Sequence, residues 1–265
     1  MHTRSVPLEP EVNLDRIAAT TPGMVGADLA NLANEAALLA ARREHDAVQP
    51  GDFTAALEKI MLGAERQVMM SDDDRRRTAY HEAGHALVGM LTPRADPIRK
   101  VSIIPRGIAL GVTFSSADTD RFNYTKDDLE ALIRVAIGGR AAEEIAFDDI
   151  TTGAEGDIQH ITRIARHMVG QWGMSEKLGL VAVLSDGDPT SPGGESFSPR
   201  IRELVDNEVL RIVDEAHTDV LALLSRERSR LDSLAEALLE HETLDEDDAY
   251  AAARVDRLLV PTAAG

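Results

Sequence analysis

Between residues 14 and 43 apolar positions recur every three to four residues, the spacing of one helical face. The repeat breaks at Thr21-Pro22-Gly23, so two helices are predicted with a turn between them. Asp28 stands just before the Ala-rich stretch 29–41, a strong helix former, and Pro50-Gly51-Asp52 opens a further helix over 53–62. Residues 61–70 read as a connector. Ser71 and Asp74 then form an N-cap pair for a helix that runs to Leu91 and stops before Pro93. The pattern changes over 100–104 and 109–115, which are rich in Val, Ile, Thr and Phe and flank Pro105-Arg106-Gly107, as a strand pair does. Thr125 caps a helix over 126–145 that contains Gly138-Gly139, a sign of close packing or of a break. Another helix is predicted over 157–172, a mobile loop over 185–196, and two long helices over 201–225 and 228–240. There is no internal repeat. The expected fold is mainly α with a small β-sheet, in two parts: a small helical subdomain over 1–66 and a larger, mostly helical domain over 67–265.

Composition narrows the function. Aromatic residues make up 3% of the 265, so the cores must be built from Leu, Ile, Val and Ala, which favours helix packing. The absence of cysteine removes thiolate ligands and a nucleophilic thiol, so any metal site needs His, Asp or Glu. A formal charge of -18 argues against nucleic acid and anionic membrane as partners. No stretch reaches the roughly 18 apolar residues of a membrane span, so the chain is expected to be soluble and cytoplasmic, with no direct membrane contact.

The chemistry is concentrated in TAYHEAGHALVGML, residues 78–91. On a helix His81 and His85 lie one turn apart on one face and can grip one metal ion, and Glu82 beside them suits the base that deprotonates the attacking water. This is the H-E-x-x-H zincin pattern, and it points to peptide hydrolysis. A catalytic zinc needs a third protein ligand. No His follows at the metzincin spacing and residues 97–117 contain no acidic residue, so the ligand lies further along. Glu143, Glu144, Asp148, Asp149, Glu155, Asp157 and His160 all remain open on spacing alone.

Together with KVSIIPRGIALGVTF, GGRAAEEIAF and TTGAEGDIQHITRIARHMVGQWGMSEKLG, the zincin segment resembles the FtsH-type AAA+ zinc proteases over nearly the whole chain. The resemblance implies a Zn2+ cofactor and places the third ligand, the aspartate of a TTGA-x-x-D segment, on Asp157. Glu155-Gly156 departs from the polar pair ending in Asn that the family often has there. Glu143 and Glu144 stand where one could orient a ligand histidine by accepting its free N–H. The strand containing Ile108, Ala109, Leu110, Gly111, Val112 and Thr113 is expected to pair with extended polypeptide substrate, Gly111 permitting close backbone approach.

The N-terminal part, VNLDRIAATTPGMVGADLANLANEAALLAARR, resembles the helical lid that ends the family's AAA+ module. No G-x-x-x-x-G-K-[ST] loop occurs in the chain, so it is not expected to hydrolyse ATP, and Gly26-Ala27-Asp28 reads as a helix cap. The implied whole is a homo-hexamer anchored in the membrane and facing the cytoplasm. The rival expectation is a non-catalytic oligomerisation module, inactive without a separate ATPase.

Overall fold

The computed structural model describes residues 2–4, 6–21, 23–66, 68–107, 109–116, 121, 123–183 and 197–256. Ile108 and the loop expected over 185–196 lie outside the described residues. The chain divides into two compact units.

The first unit contains Met1–Met69 and Ile104–Leu110. Its helices are α1 (Leu14–Ala19), α2 (Gly26–Arg42) and α3 (Pro50–Leu62). Asp28 lies inside α2 rather than before it: its carboxylate accepts the Val25 N–H at 3.0 Å, which starts the helix at Gly26. Leu32, Ala36 and Ala40 recur at helical spacing and meet Phe53 and Ala56 of α3 in a small core. Ala36 and Ala56 have no exposed surface, and such small side chains let the helices approach closely. Asp52, fully buried, takes the Gln49 N–H at 3.0 Å and the Arg43 guanidinium at 2.8 Å, tying the α2–α3 connection to its helix.

The second unit holds α4 (Asp72–Leu91), β1 (Ile98–Ser102), β2 (Val112–Ser115), α5 (Lys126–Phe147), α6 (Glu155–Gly170), α7 (Pro199–Arg226), α8 (Arg228–His241), β3 (Thr243–Asp245) and α9 (Glu246–Ala253). Both N-caps read from the sequence form: Ser71 Oγ accepts from Asp74 N at 3.1 Å, and Thr125 and Asp128 exchange side-chain to backbone bonds. α4 is buried from Thr78 to Met90 apart from His81, because it packs on α5, α8 and β1 at once. This explains why its residues show little two-faced patterning.

The α4–α5 crossing is set by two glycines. A Cβ on Gly84 would collide with the Gly138 carbonyl, and one on Gly138 would stand 2.6 Å from the Gly84 oxygen. The Gly138-Gly139 pair is therefore a close-packing device within an unbroken helix.

The sheet is antiparallel in the order β2-β1-β3. Val101 pairs with Thr113 on one side and Leu244 on the other, and β2 is an edge strand. β1 keeps its expected length but starts two residues earlier, and β2 is shorter than expected. β1 ends at Ser102 and β2 begins only at Val112, since Ala109 turns back to bridge Arg106. Ala109 and Leu110 belong to the first unit and take no part in β2. β3 and α9 were not anticipated at all.

Candidate metal centre

α4 supplies the first two side chains. One helical turn separates His81 from His85, and their Nε2 atoms stand 3.0 Å apart. The third arrives from α6, where Asp157 occupies the first turn and its Oδ2 lies 3.4 Å from both Nε2 atoms. A carboxylate there also benefits from the positive end of the helix.

Each imidazole is held from behind. His85 Nδ1 lies 2.8 Å from the Val135 carbonyl, which can only accept, so Nδ1 carries the proton and Nε2 presents its lone pair. His81 Nδ1 lies 2.7 Å from Glu143 Oε1, and the other Glu143 oxygen accepts the Thr151 N–H at 3.0 Å. Two nitrogen lone pairs and one carboxylate thus converge on a single point. Bonds of about 2.0–2.2 Å in a tetrahedron place ligand atoms roughly 3.3 Å apart, so the spacing fits zinc. Three protein donors leave the fourth position for chemistry.

The electrostatics agree with a cation site. Burial opposes a charged His81, yet the hydrogen bonds to Asp157 and Glu143 and the nearby Glu82 carboxylate outweigh it and raise its pKa to about 10. Burial likewise opposes ionisation of Asp157, but His81 and His85 hold its carboxyl well below the usual carboxylate range. The same contest, won by His81 and Thr151, lowers Glu143. A divalent ion shared by both Nε2 atoms would answer this field.

Glu82 is 6% exposed. Its Oε2 lies 2.7 Å from Thr113 Oγ1, and its chain packs on Gly111, where a Cβ would meet Oε1 at 2.6 Å. Of the two adjacent acids on α5, only Glu143 joins the site. Glu144 turns away to Arg140 at 3.0 Å and His217 at 3.2 Å, since neighbouring helical residues point about 100° apart. Asp149 approaches Arg77, Glu155 takes the Gln159 amide, and His160 is exposed. Gly111 and Thr113 reach the site, whereas Ala109 and Leu110 belong to the first unit.

Sequence reasoning missed the use of Gly139. A Cβ there would stand 2.5 Å from His85 Nε2 and 2.6 Å from His81 Nε2. The paired glycines in mid-helix were the available signal.

Two family models match the chain. Peptidase family M41 matches residues 68–251, and the AAA+ lid domain matches residues 11–55. "ATP-dependent zinc metalloprotease FtsH 3" of Conexibacter woesei is 64% identical over 260 residues, 97% of this chain and 35% of the relative. "ATP-dependent zinc metalloprotease FtsH" of Thermobaculum terrenum is 55% identical over 93% of this chain and 39% of its own length. The protein of the same name from Syntrophus aciditrophicus is 50% identical over 94% of this chain and 34% of its own. The chain thus spans little more than a third of these relatives. With more than half of its length matched, it belongs to peptidase family M41.

Proposed function

We propose that this chain is the proteolytic part of an FtsH-like ATP-dependent protease: a helical lid over 1–66 followed by a zinc endopeptidase over 67–265 that cleaves flexible or unfolded polypeptides. The observation that carries the reading is the convergence of His81, His85 and Asp157, with the carboxylate of Glu82 on the same helix. Zinc held by these three would lower the pKa of water to about 7 and polarise the scissile carbonyl. Glu82 takes the proton of the attacking water and passes it to the leaving amine. Glu143 and the Val135 carbonyl keep both imidazoles in the tautomer that offers Nε2.

Edge strand β2 supports a mode of substrate binding. An extended backbone can add to the side on which no described strand pairs with it, which selects against compact folded proteins because those cannot offer a free strand. Gly111, Val112 and Thr113 are the residues we retain for this contact. The relatives' names carry ATP dependence, and we extend the proposal to a homo-hexamer working on the cytoplasmic face of a membrane. No described helix is long and apolar enough to cross one. The formal charge of -18 supports leaving out nucleic acid as a partner.

The test combines zinc content per chain with cleavage of unfolded fluorescent casein. The expected result is about one zinc and chelator-sensitive cleavage. Asp157→Ala should lower both, and Glu82→Gln should keep zinc and lose cleavage. Undiminished casein cleavage by Glu82→Gln would remove the base from the mechanism, and zinc without cleavage would favour the oligomerisation module.

A further inference from the structure

Glu82 has two constraints, one from Gly111 just before β2 and one from Thr113 within it. Gly111 lies against its Oε1, Cγ and Cδ so closely that a Cβ would stand within 2.6–2.9 Å of all three. Two residues on, Thr113 brings its hydroxyl to 2.7 Å from Oε2. Positions 111 and 113 share one face of an extended chain, so one stretch of backbone fixes the base from both sides.

The hydroxyl also lies 3.1 Å from the Glu82 backbone carbonyl, but it has a single proton. The shorter separation and the negative charge favour the carboxylate, and 2.7 Å falls within the range of a charge-assisted O–H···O bond. With Oε2 so engaged, Oε1 is left for proton transfer.

We propose that Thr113 is a positioning residue for the base: its hydroxyl donates to Glu82 Oε2 and holds the carboxylate so that Oε1 faces the attacking water. Because Thr113 lies on the edge strand, the residue that aligns the base belongs to the same strand as the substrate-binding edge. The inference rests on the assignment of Glu82 as base.

The experiment uses the zinc-loaded 265-residue chain and compares Thr113→Val, Thr113→Ser and Glu82→Gln. Valine keeps the branched shape that suits a strand and removes only the donor. Thr113→Val should retain zinc and KM for a flexible fluorogenic peptide while kcat falls about 10- to 100-fold, the range for a lost bond to a charged group. Thr113→Ser should recover most of that loss. A crystal structure of zinc-loaded Thr113→Val provides a readout independent of turnover, with the Glu82 carboxylate expected to rotate or to lose a single position.

Wild-type kcat in Thr113→Val, equal losses in the valine and serine variants, or an unmoved Glu82 carboxylate would each overturn the proposal. Glu82→Gln separates the layers. If it abolishes cleavage while Thr113→Val does not slow it, the positioning role fails and the base assignment stands.

Discussion

Replacing Gly139 by alanine offers a sharp test of the metal centre. On a solvent-exposed helix the change would stabilise by up to about 1 kcal/mol, through alanine's better helix propensity. Here the new Cβ would stand 2.5 Å from His85 Nε2, 2.6 Å from His81 Nε2 and 2.7 Å from His81 Cε1. Comfortable contact begins near about 3.5 Å, so roughly 1 Å must open. Zinc bonds tolerate displacements of only about 0.2 Å. α5 cannot retreat cheaply, because Gly138 is in backbone contact with Gly84 at the helix crossing. The imidazoles must therefore turn, giving up Glu143 and the Val135 carbonyl. Losing such outer partners typically costs 10- to 100-fold in metal affinity, and overpacking costs about 1–3 kcal/mol. Competition against a chromogenic chelator measures the first, and urea unfolding in excess EDTA measures the second. Zinc affinity within twofold of wild type, or a gain in stability, would refute the reasoning.

Three further outcomes follow from the same structure. Glu143→Gln should weaken zinc about 10- to 100-fold in that chelator competition, and Glu144→Gln should leave it unchanged; equal effects would contradict the placement of the two side chains. Chelating the metal should lower the melting temperature of wild type by about 5–10 °C, from about 2.7 kcal/mol of linkage at a hundredfold excess of zinc over its dissociation constant. Asp157→Ala should be nearly insensitive to chelator, and a wild-type-sized shift in that variant would count against the ligand. Burial opposes ionisation of Glu208 on α7, but Arg211, Lys177 and Ser175 hold it at about 2, below its ordinary 4.5. Its stabilising contribution is therefore present above about pH 4.5 and lost as the pH falls toward 2. Glu208→Gln should cost about 1–3 kcal/mol at pH 7 and flatten the stability curve in that window, as read by urea titrations at each pH; parallel curves for the two proteins would exclude it.

What the sequence determined by itself is local. The i,i+4 histidines, the caps at Ser71 and Thr125, and the breaks between α1 and α2 and before Pro93 each depend on residues within a turn or two of one another, and helix periodicity is enough to read them. The resemblance then supplied Asp157, which spacing alone had left among seven candidates. Tertiary structure decided the rest. β3 pairs with β1 across about 140 residues, so no local pattern marks it, and β2 shrank because residues 104–110 were drawn into the first unit. Glu143 and Glu144 are equivalent in sequence, and only the rotation of α5 on α4 turns one toward His81 and the other toward His217. Thr113 reads as an ordinary strand residue until packing brings its hydroxyl to Glu82. The physical reason is common to all of these: a helix or strand fixes where a side chain points relative to its own axis, while the partner it meets depends on how distant elements pack.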